Sequence, residues 1–288
     1  MEFVPMYFCE TVCAFLKNLG DLEILCRDKP DCDFWNAAIE KDFKKRPTFK
    51  LQVSYAHNKW AYSISGVTDI ELFDELTAAC KNEYFRLNEI SFSTIAHDDQ
   101  FVSNLEAINE IISSTASYIY KADLQILDGD RNLPSELFAI VADVYKTRSF
   151  RKIGFNSQMH LFEDFLTVQL KSEHLKEFHL SDTCSSVLRQ QIEEFALTET
   201  FHTLELTCVE FDLEFFKKLL KKPLVGVKES FFRAQLNITR HLKDLRELEE
   251  ESLFSLSSFE ASWRTTDGVS VHVSYKNGCL IEVSQRQG

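Results

Sequence analysis

Phe150-Arg151-Lys152-Ile153-Gly154-Phe155, Leu175-Lys176-Glu177-Phe178-His179-Leu180 and Phe201-His202-Thr203-Leu204-Glu205-Leu206 share one pattern, apolar at positions one, four and six. They start 25 and 26 residues apart, and an amphipathic helical stretch fills each interval. A strand that recurs at a fixed period with a helix between copies marks stacked strand–helix units, because each unit buries its apolar side only against its neighbours. The units are read as irregular and leucine-rich-repeat-like, since the Asn or Cys of a regular repeat has no matched position. The expected fold class is α/β.

Working outward, the same rhythm extends in both directions. Upstream, a helix over 69–80, a strand over 87–95, a helix over 102–114 and a strand over 118–127 are expected, then a helix opened by Pro134 at about its first position and running through Tyr145. Earlier still, Phe49, Leu51, Val53 and Tyr55 alternate with polar residues, as do Trp60, Tyr62 and Ile64, and His57-Asn58 stands between them. That is a β-hairpin pattern. Downstream come a helix over 213–222, a strand over 226–235 and a charged helix over 240–251. The tail has strands over 261–265, 269–275 and 280–284, separated by Asp267-Gly268 and Asn277-Gly278, both hairpin turn signals. This antiparallel meander, about 259–285, is expected to close one end of the sheet.

Composition narrows the classes of function. The 288 residues are 44% hydrophobic with 25 Phe, enough for thick helix–sheet cores. The net charge of −13 repels phosphate backbones, so no nucleic-acid partner is expected. Residues 1–20 lack a basic segment leading into an apolar core, and no run approaches a membrane span, so no signal peptide and no membrane association are expected. Eight scattered cysteines fit no disulfide framework and suit a reducing compartment, cytoplasmic or nuclear. Asn237-Ile238-Thr239 is then a chance match to a glycosylation acceptor.

The residue clusters that might carry chemistry are sparse. Phosphate-loop, dinucleotide, zinc-protease, nucleophile-elbow and C-x-x-C motifs do not occur. Cys9 and Cys13 stand at i, i+4, but a structural zinc needs two more ligands at suitable spacing, so core packing is the better reading and no metal is expected. His179 and His202 are read as equivalent places in adjacent repeats, a paired-histidine site or simply the polar side of a strand. Lys217, Lys218, Lys221 and Lys222 beside Phe215, Phe216, Leu219 and Leu220 are read as a helix with one face on the sheet and lysines in solvent. A hydrolase built on one of the cysteines and a histidine would need an electropositive, accessible thiol. The expectation is a protein without catalytic residues or cofactor.

The first 47 residues form a separate helical pattern. Apolar residues at 5, 8, 9, 12, 13, 15 and 16 take helical spacing, Asn18-Leu19-Gly20-Asp21 breaks it, and Asp21 caps a short second helix through Leu25. A third, over 34–44, turns Trp35, Ala38, Ile39 and Phe43 inward, and Pro47 ends it. Val4-Pro5, Val12, Leu16, Asp21-Leu22, Leu25 and Trp35 resemble an F-box motif. Over nearly its full length the chain also resembles a nematode-expanded family of F-box-like proteins, through Phe8-Cys9-Glu10, Lys45-Arg46 with Phe49, Glu193-Glu194-Phe195 and Trp263 with Asp267-Gly268. The resemblance implies a module over 1–47 that docks on a Skp1-like adaptor subunit through Pro5, Phe8, Val12, Leu16, Leu22, Leu25 and Trp35. It implies an F-box-associated body over 48–288 that binds an unknown target protein, as part of a Skp1-cullin-type ubiquitin ligase. Cys26–Asp33 departs from the motif, so the alternative is a binding scaffold whose degenerate head no longer takes a Skp1-like partner.

Overall fold

A computed structural model describes residues 12, 37–38, 48–66, 86–94, 100–102, 104–127, 133–156, 159–199, 201–211, 213–220, 229–235, 259–264, 269–276 and 280–287. The fold is mixed α/β and forms two compact units, Met1–Phe150 and Arg151–Gly288. The division falls inside the expected 48–288 body, at the entry to a strand, where no Pro- or Gly-rich linker announces it. The expected helices over 69–80 and 240–251 lie outside the described residues.

In the first unit, β1 (Thr48–Ala56) and β2 (Lys59–Ser65) form the expected hairpin. His57 and Asn58 both have positive φ, 53° and 59°, the conformation a two-residue type I′ turn requires. β3 (Arg86–Ser93), β4 (Gln100–Val102) and β5 (Ile119–Leu127) complete the order β5-β3-β1-β2-β4, with β5, β3 and β1 parallel. Register aligns Leu51, Ile90 and Leu124 in one buried row and Val53, Phe92 and Ile126 in the next. Helix α1 (Leu105–Thr115) starts three residues later than expected, because Val102 belongs to β4 and Asn104 caps the helix, its Oδ1 accepting from the Ala107 amide at 3.0 Å. Helix α2 (Ser135–Tyr145) matches its expected span, with Pro134 at the cap position, one before the first helical residue.

Strand β6 (Phe150–Phe155) starts on the last residue of the first unit and leads the chain into the second. That unit continues through α3 (Glu163–Gln169), β7 (Glu177–Leu180), α4 (Ser186–Ala196), β8 (Thr203–Glu210), α5 (Leu213–Leu220) and β9 (Glu229–Gln235). β6 to β9 are parallel neighbours in chain order. The meander follows as β10 (Phe259–Arg264), β11 (Val269–Lys276) and β12 (Leu280–Gln287). The last of these pairs with β9, so the sheet order is β6-β7-β8-β9-β12-β11-β10 and β10 is outermost.

The one-four-six pattern has two physical origins. Positions four and six are strand positions: Ile153, Phe178 and Leu204 share one register row, and Phe155, Leu180 and Leu206 another, all nearly inaccessible to solvent. Position one precedes the strand proper in β7 and β8, yet Leu175 and Phe201 are fully buried. Phe201 packs edge-on against Phe195 in the last turn of α4, ring centroids 5.8 Å apart, and Phe150 meets Tyr145 of α2 at 6.0 Å. This apolar residue fills the corner where a helix hands over to a strand, hence the spacing of three before the strand's spacing of two.

Candidate functional site

Strand alternation in the second unit puts opposite chemistries on opposite faces. Ile153, Phe178, Leu204, Phe232 and Val283 form a buried row across β6, β7, β8, β9 and β12. Helix α5 lies on this side: Phe215 meets Phe232 at 5.9 Å, and the buried Gln285 donates to the Leu219 carbonyl at 3.4 Å while accepting from Ser230 at 3.1 Å. One step along each strand, the register brings together Gly154, His179, Glu205, Arg233 and Glu282. These are half-buried and lie on the face away from α5.

The row is a chain of opposed charges. His179 Nδ1 lies 2.9 Å from Glu205 Oε2, Arg233 Nη1 3.6 Å from Glu205 Oε1, and Arg233 closes on Glu282 Oε1 through Nε at 2.8 Å and Nη2 at 2.7 Å. A carboxylate only accepts, so in the neutral ring the contact with Glu205 assigns the hydrogen to Nδ1. His179 Nε2 has no hydrogen-bond partner among the described residues and stands 3.9 Å from Glu177 Oε2. Glu177 in turn faces Arg151 and Lys152, each at 3.6 Å. Phe231 adds an aromatic surface in the neighbouring row, with the Arg233 guanidinium 5.5 Å from its ring centre. Gly154 ends the row without a side chain, and a Cβ there would sit 3.8 Å from that of His179.

Magnitudes separate the two faces. A fully buried Val, Leu, Ile or Phe stabilises by about 1.5–3 kcal/mol, whereas partly exposed ion pairs contribute about 0–1 kcal/mol each. The apolar row therefore carries stability, and the charged row contributes little to it. Both ring nitrogens of His179 face carboxylates, so the row offers ordered donors and acceptors rather than a base beside a nucleophile. Among the described residues, no group of three or more His, Cys, Asp or Glu is placed to hold a metal.

The structure corrects the reading of His179 and His202 as equivalent. Register pairs His179 with Glu205, and His202 precedes β8, its amide bonded to the Lys176 carbonyl at 2.9 Å. Counting from each first apolar residue puts His179 at position five and His202 at position two, so strand alternation gives them different places. Of the basic helix, Phe215, Phe216 and Leu219 are buried and Lys218 is exposed, as expected for one face on the sheet. Cys184 is half-buried, and burial pushes its thiol up to about 11, with Arg189 opposing and Glu163 and Asp182 adding to the rise. That is the reverse of an activated thiol. Cys208 is exposed and donates to the Ser181 carbonyl at 3.3 Å. The remaining cysteines lie outside the described residues.

Of the expected docking residues, Val12 is helical and part-exposed, and Pro5, Phe8, Leu16, Leu22, Leu25 and Trp35 lie outside the described residues. In the third expected helix, Ala37 and Ala38 are helical, and Ala38 is buried as foreseen. Sequence reasoning did not single out Glu205, Arg233 or Glu282 as site residues. A signal exists for Arg233: Glu229-Ser230-Phe231-Phe232-Arg233-Ala234 starts 28 residues after Phe201 and keeps apolar residues at positions four and six. Arg233 then takes the same position five as Gly154, His179 and Glu205. No family model matches this chain, and no curated protein does either.

Proposed function

We propose that the chain is a non-enzymatic protein-binding adaptor that recruits a target protein to a Skp1-cullin-type ubiquitin ligase. Residues 1–47 act as the F-box-like docking module for a Skp1-like subunit. The strand–helix units act as an irregular leucine-rich-repeat-like body that reads the target. The observation carrying this reading is the half-buried row His179–Glu205–Arg233–Glu282, a fixed order of charges with an aromatic neighbour on the sheet face away from α5. Arginine and aromatic residues are the side chains that most often dominate protein interfaces. Val12, one of the docking positions, is part-exposed, which favours a head still able to dock over the alternative of a scaffold with a spent one. Ubiquitin transfer is left to other subunits, and this chain contributes proximity and orientation.

The test is co-purification from cells with wild-type chain and with Arg233→Glu. The buried apolar row is untouched by this change, so the fold is retained. The expected result is loss of the target proteins with the Skp1-like subunit still bound. An unchanged set of co-purifying proteins would contradict the assignment of this face to target binding.

A further inference from the structure

We infer that His179 is a proton-operated switch in the charged row, which on taking a proton at Nε2 draws Glu177 away from Lys152. In the neutral ring Nδ1–H donates to Glu205 Oε2 at 2.9 Å, which leaves a lone pair on Nε2. Nε2 is buried and has no hydrogen-bond partner among the described residues. It faces Glu177 Oε2 at 3.9 Å, and two acceptors cannot bond to each other. The same oxygen lies 3.6 Å from Nζ of Lys152, the register partner of Glu177 on β6. One carboxylate oxygen thus stands between an ammonium group and a ring nitrogen without a proton.

Proton uptake changes which of the two holds that oxygen. A protonated Nε2 is a donor, and a movement of Glu177 by about 1 Å closes the gap to a charge-assisted hydrogen bond. Glu177 is part-exposed, so its side chain has room for that movement. The new charge on the ring also opposes the ammonium group that shares the oxygen. Lys152 is thereby released, while Arg151 keeps the other oxygen, Glu177 Oε1, at 3.6 Å. The remaining neighbours hold the ring where it is. From β8, Glu205 keeps Nδ1. From β9, Arg233 reaches Glu205 Oε1 at 3.6 Å and is itself anchored on Glu282 at 2.7 Å. From β6, the residue directly opposite His179 is Gly154, which brings no charge. In the adaptor reading of this face, the switch offers Lys152 to an acidic group of the target. The switch itself belongs to the row, whichever protein binds there.

Nuclear magnetic resonance of the full chain with isotope-labelled histidine and lysine tests the proposal. The titration runs from about pH 8 to 5, the interval in which histidines ordinarily take up a proton. His179→Gln and Lys152→Gln identify the two signals. The expected result at the alkaline end is a His179 ring carrying its hydrogen on Nδ1. Acidification then protonates Nε2, and the Lys152 side-chain signal moves with the same midpoint. Glu177→Gln leaves the buried apolar rows untouched, and it should weaken proton uptake by His179 about tenfold and abolish the Lys152 response. A neutral wild-type ring with its hydrogen on Nε2 overturns the proposal. So does a Lys152 signal that does not follow the ring, or proton uptake unchanged in Glu177→Gln. None of these signals needs a bound target, so failure of the switch and failure of the adaptor reading are told apart.

Discussion

Tyr145 is completely buried in the last turn of α2, and its phenol oxygen has no hydrogen-bond partner among the described residues. The Thr115 hydroxyl is near enough to act on it, yet gives its own proton to the Ile111 carbonyl at 2.8 Å. Burial raises the phenol well above its ordinary 10.0, with Thr115 and the Arg148 charge pulling the other way. The folded chain thus holds this proton more tightly than the unfolded chain does. Its contribution to stability is intact below about pH 10 and is lost as the pH rises beyond. Tyr145→Phe removes a buried hydroxyl without a well-directed bond, so denaturant unfolding at neutral pH should show stability unchanged within about 1 kcal/mol or raised. The alkaline fall should be shallower than in the wild type. A loss above about 2 kcal/mol at neutral pH would show that the hydroxyl is bonded after all.

At the scale of elements, local chemistry made much of the fold readable. The β1–β2 hairpin announced itself by alternation, and β6, α2 and β11 fell close to their expected bounds because helical and strand periods are written in contiguous residues. Less local features stayed hidden. Gly66 closes β2 with φ at +100°, and a Cβ there would lie 2.8 Å from the Thr48 carbonyl at the start of β1. Both facts depend on the strand pairing. Gly66→Ala combines a left-handed conformation with a backbone clash, so thermal unfolding should show a loss of about 2 kcal/mol or more. An unchanged midpoint would mean that the end of the hairpin is free to rearrange. The charged row was hidden for a related reason. His179 and Glu205 are 26 residues apart and Arg233 and Glu282 are 49 apart, so only the sheet register makes them neighbours. The ladders, parallel up to β9 and antiparallel at β12, fix that register through the buried apolar rows, which the sequence does show, while the residue type at position five between those rows changes from Gly154 to His179, Glu205 and Arg233.

For the whole molecule, the alternating rows divide labour: apolar residues against helices hold each unit together, and polar residues on the other side of the second unit's sheet are available to a partner. In the proposed adaptor reading, target recognition and Skp1-like docking fall to separate stretches of chain. The most direct measurement is calorimetric titration of the full chain with a purified Skp1-like protein, for wild type, Pro5→Asp and Leu16→Asp. The proposed adaptor role predicts saturable binding by the wild type, weakened about tenfold or more by either substitution, with the unfolding midpoint retained. Wild-type chain that binds no Skp1-like protein, or variants that bind as well as wild type, would contradict it.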